Sequence, residues 1–300
     1  MYDLIIIGGG PAGLTAAIYA IRKRLDVLLI SEDLGGKTNH HMDLPDTDGH
    51  QLIRGSEIVR KFRSELDYLH FARLLTRVKQ VGRENGHFLI STTEHGELQA
   101  RALIIATGAR QQFLGVPGEL EFLGRGLGYS AISYAPVFID KRVTVIGNDD
   151  LALRAAAELA VVAEHVHLVG PAHEKLDSPL GQKLVHSQNV TILEEYRVVQ
   201  VDGEKYLEKV IVQSPRGQKS EIGTDGAFVE MALIPNTDFI AHLVERDEFG
   251  RIRVDAAART STPGIFAAGD VTNTTEQVLV AIGEGAKAAL SAYDYLLPEL

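Results

Sequence analysis

The fold follows from one run of residues, Asp3-Leu4-Ile5-Ile6-Ile7-Gly8-Gly9-Gly10-Pro11-Ala12-Gly13. An apolar strand leads directly into Gly-x-Gly-x-x-Gly and then into a helical pattern. The first glycine permits the tight turn, the second lets a pyrophosphate approach the backbone, and the third lets the helix pack on the strand. A second apolar run, residues 26–30, and the acids Glu32 and Asp33 follow. This context predicts a dinucleotide site, since the helix N-terminus offers N–H groups to phosphate, and it disfavours a strand–turn–helix without a ligand.

The same pattern begins a second time at Arg142. The run Val143-Thr144-Val145-Ile146-Gly147 repeats Leu4–Gly8, and a helix and several strands follow it. Helices are also expected at residues 55–69 and 275–297. The order predicts an α/β protein with two Rossmann-like dinucleotide-binding domains, each a parallel sheet with an antiparallel meander, and with the second domain inserted into the first. We place the first domain at residues 1–114 and 236–300, and the second at residues 115–235.

Composition limits the possible partners. The chain has 300 residues, a net charge of −10 and no cysteine. The negative charge disfavours nucleic acid and anionic membranes as partners. No apolar run reaches the length of about 18 residues that a membrane helix needs, and no basic segment precedes an apolar one, so we expect a soluble, cytoplasmic protein. Without cysteine the chain itself can form no disulfide or thiolate ligand, and no His, Asp and Glu spacing predicts a metal site.

Four motifs together carry a resemblance to a known family. They are Gly8–Gly13, Ala106-Thr107-Gly108-Ala109, Gly264–Asp270, and Glu276-Gln277-Val278 with Glu284-Gly285-Ala286. In order, spacing and length they resemble flavoproteins with two dinucleotide folds, and specifically the low-molecular-weight thioredoxin reductases, which are class II pyridine nucleotide-disulfide oxidoreductases. The resemblance covers nearly the whole chain. It implies FAD in the first domain and a homodimer.

The resemblance also implies roles for individual residues. The first glycine turn would hold the pyrophosphate, Glu32 the adenosine ribose, and Val78 the adenine; Ser31 directly follows the strand, so the acid is displaced by one position. Asp270 would approach the ribityl chain or the phosphate, or else only cap the last helix. The candidate cofactor-binding residues are Gly8, Gly10, Pro11, Ala12, Gly13, Ser31, Glu32, Lys37, Thr38, Val78, Ala106, Thr107, Gly108, Gly269, Asp270, Gln277 and Val278.

Two of these candidate pairs concern the flavin itself. Gln277 and Val278 would aim backbone N–H groups at the flavin pyrimidine, where a helix N-terminus stabilises the negative charge of a reduced flavin. Lys37 and Thr38 follow Gly36 where the family has Gly-Gly-Gln. Either side chain would hydrogen-bond the flavin, and a cation there would raise its potential. The alternative for Lys37 is a solvated side chain.

The chain departs from the family at the dithiol. Ser130-Ala131-Ile132-Ser133-Tyr134 stands where the family has Cys-x-x-Cys-Asp. A hydroxyl cannot cycle through a disulfide, so the chain alone cannot perform the dithiol chemistry. Ser130 and Ser133 remain candidates for hydrogen bonds to flavin or substrate, or are isosteric remnants without a role.

The second glycine motif is altered as well. Gly147-Asn148-Asp149-Asp150-Leu151-Ala152 carries Asp149 in place of the middle glycine. Two like charges at about 4 Å repel by about 1–4 kcal/mol at effective dielectric constants between 80 and 20. We expect Asn148, Asp149 or Asp150 to serve as a helix N-cap instead. The arginines that clamp the NADP 2′-phosphate in the family are also missing after residues 165–169, and Lys175 is the nearest cation. We therefore expect no productive NADPH binding.

The remaining redox centre would be the flavin. One hypothesis is an FAD oxidoreductase that exchanges electrons directly with a partner protein, such as a ferredoxin-like carrier, or with a small molecule. A second is an NAD(P)H-dependent ferredoxin or flavin reductase, and a third is a non-enzymatic flavin-binding scaffold or redox sensor. His40 and His41 are candidates to protonate flavin N5 or a substrate, or are solvated loop residues. We expect no long C-terminal tail over the flavin, because the last helix nearly reaches Leu300.

Overall fold

The computed structural model describes residues 1–39, 42, 57, 59–62, 64 and 72–300. The chain divides into two compact units. Unit 1 comprises Met1–Asn39, Arg54–Arg110 and Ile234–Leu300, and unit 2 comprises His40–Ile53 and Gln111–Leu233. The helix expected at residues 55–69 lies largely outside the described residues, and Glu57, residues 59–62 and Ser64 are its described helical positions.

Unit 1 contains a seven-stranded sheet in the order β3-β2-β1-β6-β5-β4, with β17 paired to β6. The strands are β1 Tyr2–Ile7, β2 Val27–Ser31, β3 Arg73–Leu75, β4 Val78–Glu84, β5 His87–Thr92, β6 Glu97–Ile105 and β17 Ile265–Ala267. The pairs β1–β2, β1–β6, β2–β3 and β6–β17 are parallel, whereas β4–β5 and β5–β6 are antiparallel. A separate antiparallel pair joins β7 Ala109–Arg110 to β16 Ile234–Pro235.

Strand β6 serves both the parallel sheet and the meander because its sequence changes along its length. Its first part, Glu97–Ala100, alternates in burial and pairs with β5, while Ala102–Ile105 is buried throughout and pairs with β1. Alternation is typical of a strand with one solvated face, and a continuous apolar run is typical of a strand covered on both faces. Strand β1 is covered in the same way, since Leu4 and Ile6 face one core cluster and Ile5 and Ile7 face the other.

Two helices cover one face of this sheet, α1 at Pro11–Arg22 and α7, the last helix, at Val278–Leu296. Their contact depends on small residues. A Cβ on Gly285 of α7 would collide with the carbonyl oxygen of Ala12, and a Cβ on Gly13 would collide with the carbonyl oxygen of Gly8. The two glycines therefore allow α7 to lie directly on the first glycine turn.

Unit 2 has a five-stranded parallel sheet in the order β11-β10-β9-β15-β8 and an antiparallel sheet in the order β12-β13-β14. The strands are β8 Leu127–Gly128, β9 Arg142–Ile146, β10 His165–Val169, β11 Val190–Leu193, β12 Arg197–Gly203, β13 Leu207–Gln213, β14 Lys219–Gly223 and β15 Gly226–Val229. The helices are α2 Glu119–Phe122, α3 Ala131–Tyr134, α4 Asp150–Leu159, α5 His173–Leu176 and α6 Pro179–Val185.

The two units follow one plan, a parallel sheet with helices and an antiparallel meander. The interruption of unit 1 by Gln111–Leu233 puts the second Rossmann-like unit inside the first along the chain. The predicted fold class is confirmed. In the part of the chain that the structure describes, no helix has the length and apolar character to cross a membrane.

The packing of α7 on the glycine turn yields a prediction. Gly285→Ala should lower the free energy of unfolding by about 1–3 kcal/mol, because the added methyl group meets backbone atoms that have no room to move. Gly283→Ala is the matched control on the same helix. A Cβ there meets no atom within 4 Å, so better helix propensity should leave stability unchanged or raise it by up to about 1 kcal/mol. Urea unfolding followed by circular dichroism, with excess FAD in every sample, measures both. Equal stabilities would contradict the proposed packing.

Candidate functional site

The first glycine turn has a backbone shape that other residues would not adopt. Gly8 has φ +113°, and a Cβ there would collide with the carbonyl group of Ala106. Gly10 is the N-cap of α1 in an extended conformation, without a side-chain cap hydrogen bond, and a Cβ on Gly10 meets no atom within 4 Å. The helix N-terminus is thus accessible over Gly10, as the approach of a pyrophosphate requires.

Ser31 supports this turn from the end of β2. Its Oγ accepts a hydrogen bond of 2.8 Å from the N–H of Gly9. The adjacent Glu32, expected to hold a ribose, pairs with Arg77, with 2.9 Å between its Oε1 and a terminal guanidinium nitrogen. Val78 begins β4 immediately after Arg77. The sequence analysis did not single out Arg77, because its partner lies 45 positions away along the chain.

Thr107 and Asn236 join the two parts of unit 1. The Thr107 hydroxyl donates to the Asn236 carbonyl at 2.7 Å, and the Asn236 side-chain amide donates back to the Thr107 carbonyl at 3.0 Å. Asn236 also donates its backbone N–H to the carbonyl of Gly108. Gly108 has φ +63°, and a Cβ there meets no atom within 4 Å. The Thr107 side chain therefore holds the chain in place, and the open side of this segment is the backbone at Gly108. Asn236 was not among the predicted residues.

Lys37 forms an ion pair with Asp270. Its Nζ lies 2.6 Å from Oδ2 of Asp270, and the two side chains are 35% and 15% exposed. Lys37 belongs to a 3-10 turn at Gly36–Asn39, within which the Thr38 hydroxyl donates to the Gly35 carbonyl. The alternative of a solvated Lys37 is wrong. The alternative that Asp270 caps the last helix is also wrong, because Gln277 is the N-cap of α7.

The first turn of α7 lies where the candidates Gln277 and Val278 were expected. Gln277 is extended, has no side-chain cap hydrogen bond, and is followed by Val278 as the first helical residue. Gly269, which precedes Asp270, donates its backbone N–H to Oε2 of Glu284 on α7 at 2.8 Å. His40 and His41 lie outside the described residues.

In unit 2 the two serines at the dithiol position are in contact. The hydroxyl oxygens of Ser130 and Ser133 are 2.8 Å apart across the start of α3. The N–H of Ala131 donates to Oε1 of Glu230 at 2.6 Å, and Glu230 is only 6% exposed. The Tyr134 hydroxyl, at the end of α3, accepts from the N–H of Met42. Glu230 was not predicted, since nothing local in its sequence indicates that its carboxylate holds α3.

A second buried carboxylate, Glu119, anchors the segment before these serines. Its two oxygens accept from the N–H groups of Leu114 and Gly115, each at 2.7 Å, and from the Tyr129 hydroxyl at 3.0 Å. Burial, and then the nearby charge of Glu119, hold the pKa of Tyr129 well above its ordinary value. Tyr129 therefore stays protonated and donates to the carboxylate, which fixes the residue directly before Ser130.

The second glycine motif ends in a carboxylate cap. Asp149 is the N-cap of α4, and its Oδ1 accepts a 3.0 Å hydrogen bond from the N–H of Leu151. The predicted cap is thereby confirmed. Lys175, the nearest cation expected from the sequence, pairs with Asp150 at 3.2 Å. The N-terminus of α4 is satisfied by this chain's own acid, and a pyrophosphate there would meet a negative charge.

Acids also follow the neighbouring strands of this sheet. Glu194 follows β11 and lies 2.6 Å from Nδ1 of His173, and that hydrogen bond raises the pKa of His173. Glu230 follows β15, and its backbone carbonyl is where a Cβ on Gly147 would collide. Together with Asp149 and Asp150, these side chains make the C-terminal edge of the unit 2 sheet acidic.

The serine contact leads to a prediction. The double variant Ser130→Cys/Ser133→Cys should form an intramolecular disulfide under air, because the two side chains already converge and a disulfide needs Cβ atoms about 3.8 Å apart. Non-reducing mass spectrometry with thiol alkylation would detect it. Each single variant is a matched control with one reactive thiol. Two free thiols in the oxidised double variant would contradict the observed geometry.

The cap at Asp149 leads to another. Asp149→Gly should tighten NADPH binding by about tenfold or more, since removing one like charge relieves on the order of 1–4 kcal/mol of repulsion. Glycine is itself tolerated at an N-cap, so the loss of stability should be a few tenths of a kcal/mol. Asp149→Asn removes the charge but keeps a side chain, and should bind with intermediate affinity. Isothermal titration calorimetry measures all three proteins, and identical affinities would refute the electrostatic explanation.

Comparison with known proteins gives a consistent result. The family model for pyridine nucleotide-disulphide oxidoreductases matches residues 2–285. The chain is 36% identical to the flavoprotein-length relative named as a component of alkyl hydroperoxide reductase in Pseudomonas aeruginosa, over 99% of this chain and 58% of that protein. It is 32% identical to an NADH dehydrogenase of Bacillus subtilis, over 99% of this chain and 59% of that protein. The chain thus spans less than two thirds of the length of these curated relatives.

Solved structures match over a larger share of their length. Thioredoxin reductase from Streptococcus pyogenes shares 31% identity with a TM-score of 0.87, covering 99% of each chain. A ferredoxin-flavin thioredoxin reductase from Clostridium acetobutylicum shares 32% identity with a TM-score of 0.51, again over 99% of each chain.

Proposed function

The chain belongs to the pyridine nucleotide-disulphide oxidoreductase family, and from that premise we propose that its flavin exchanges electrons directly with a partner protein or a small molecule. FAD is the cofactor of this family. NADPH bound to unit 2 and a dithiol of this chain have no part in the proposed reaction.

The residues of unit 1 fit FAD. The extended Gly10 leaves the N-terminus of α1 accessible, as a pyrophosphate requires, and the accessible backbone at Gly108 lies next to the Thr107–Asn236 contact. We propose that the glycine turn, Ser31, Glu32, Lys37, Asp270 and the start of α7 hold the cofactor. When bound, FAD supplies two-electron or one-electron redox chemistry. The chain's own contribution is to bind it, orient it, and present the N-terminus of α7 to developing negative charge.

The observation that carries the proposal is the cap at Asp149. Its carboxylate accepts from the N–H of Leu151 at the position where a pyridine nucleotide would place its pyrophosphate. Glu230 adds a second buried acid after β15. The chain also contains no cysteine. An electron donor that needs neither unit 2 nor a thiol is the arrangement these residues favour.

The relatives suggest which donor to test first. The Clostridium acetobutylicum protein is named a ferredoxin-flavin thioredoxin reductase, which favours a ferredoxin-like carrier. The Bacillus subtilis relative is named an NADH dehydrogenase, and it keeps an NAD(P)H-dependent ferredoxin or flavin reductase as the second candidate. A flavin-binding scaffold or redox sensor without turnover is the third. We further propose a cytoplasmic homodimer, with an FAD-binding domain at residues 1–114 and 236–300 and a degenerate NAD(P)H-binding-like domain at residues 115–235.

Anaerobic titration of the purified protein tests the proposal. Absorbance of the flavin band is followed while NADPH, NADH, reduced ferredoxin or dithionite is added. NADPH and NADH should leave the flavin oxidised, because the N-terminus of α4 is already capped by Asp149. Reduced ferredoxin and dithionite should bleach it. Rapid bleaching by NADPH or NADH would establish the second candidate, and a flavin that only dithionite reduces would establish the third.

A further inference from the structure

The Lys37–Asp270 ion pair lies beside the first glycine turn. We propose that Lys37 supplies the positive charge that binds the FAD pyrophosphate, and that Asp270 holds its ammonium group in position. The inference depends on the FAD assignment made above, and it is independent of which molecule donates electrons.

The backbone places Lys37 next to the pyrophosphate turn. The N–H of Gly35 donates to the carbonyl of Gly9 at 2.7 Å. A Cβ on Gly36 would lie 3.2 Å from the Cα of Gly10. Lys37 therefore begins one residue away from a direct backbone contact with the glycine that a pyrophosphate approaches.

Asp270 reaches the same place from the other part of unit 1. Gly269 has φ +78°, and a Cβ there would lie 3.1 Å from the Cβ of Ala12 in the first turn of α1. Asp270 follows directly, and its Oδ2 is 2.6 Å from Nζ of Lys37. The ion pair thus joins two segments that both touch the first glycine motif, Gly10 in one case and Ala12 in the other.

The charge balance of this region calls for a cation. Pro11 stands at the start of α1 and brings no N–H, so the helix offers a pyrophosphate one donor fewer. Carboxylates lie close by, since Asp33 accepts from the N–H of Gly36 and Glu284 accepts from the N–H of Gly269. A doubly charged pyrophosphate between such groups needs a positive side chain to offset the repulsion.

Lys37 has the free donors for this task. An ammonium group has three N–H donors, and Asp270 is one acceptor for them. A charge-assisted hydrogen bond to phosphate is about twice as strong as a neutral one, and the side chain is only 35% exposed, so water screens it incompletely. Asp270 holds the flexible lysine stem in one conformation beforehand, which lowers the entropy that binding costs.

The experiment compares FAD with ADP, which shares the pyrophosphate but lacks the flavin. Deflavinated wild type, Lys37→Gln, Lys37→Arg and Lys219→Gln are titrated with each ligand by calorimetry. Lys37→Gln should lose about tenfold in affinity for both ligands, as expected for one lost charge-assisted hydrogen bond. Lys37→Arg should keep most of the affinity. Lys219→Gln is the matched control, because it removes the same charge from an exposed strand of unit 2.

The reduction potential of the bound flavin separates this role from a contact with the flavin ring. A cation over the pyrophosphate should leave the potential of Lys37→Gln equal to that of wild type. Loss of FAD affinity without loss of ADP affinity, accompanied by a shifted potential, would overturn the inference in favour of a ring contact. Unchanged affinity for both ligands would overturn it as well.

A measurement on the holoprotein covers the case in which deflavinated protein does not refold. FAD release after dilution, followed by the rise of flavin fluorescence, should be about tenfold faster for Lys37→Gln and unchanged for Lys219→Gln, with the difference shrinking as salt screens the charge. Equal release rates would overturn the inference. Reduction of the flavin by NADPH would refute the proposed electron donor and leave these binding results intact.

Discussion

Close backbone approach at the first glycine turn is the constraint on which unit 1 depends. A Cβ on Gly13 would collide with Gly8, and a Cβ on Gly285 would collide with Ala12. These contacts bring β1, α1 and α7 together at one point and keep the N-terminus of α1 accessible over Gly10. Residues from distant parts of the chain, Lys37 and Asp270, then meet beside that point. The candidate cofactor site is a product of this packing, because the same short backbone distances that exclude side chains also bring the ion pair to the helix N-terminus.

The two glycine motifs show how one change at a helix N-terminus alters the chemistry of a shared scaffold. Both follow the first strand of a parallel sheet and both begin a helix. At Gly10 the helix end has no side-chain cap, whereas at Asp149 a carboxylate accepts the N–H of Leu151. The strand, the turn and the helix survive in unit 2, since a cap stabilises a helix as well as a bound anion does. What differs is the sign of the charge that a ligand would meet.

The sequence was sufficient for those features that depend on neighbouring residues. The strand–glycine–helix pattern predicted both Rossmann-like sheets, and the preference of Asp for N-caps predicted Asp149. It was insufficient where partners are distant in the chain: Thr107 with Asn236, Glu32 with Arg77, and Ala131 with Glu230. Each of these pairings is determined by tertiary packing, and the sequence around either partner carries no signal of the other. The Lys37–Asp270 pair belongs to the same group, because propensity alone favours a solvated lysine.

The discontinuity of unit 1 has a consequence for biosynthesis. Strand β17 and helix α7, which complete the sheet and cover the glycine turn, are translated only after the whole of Gln111–Leu233. At ribosomal rates of about 5–20 residues per second, this delay is on the order of 10 s. During that interval the apolar edge of β6 that β17 later covers has no partner from its own domain, while the residues of unit 2 are already complete. Loading of FAD is therefore a late event, and the nascent chain has to protect half a Rossmann sheet while it waits for its last helix.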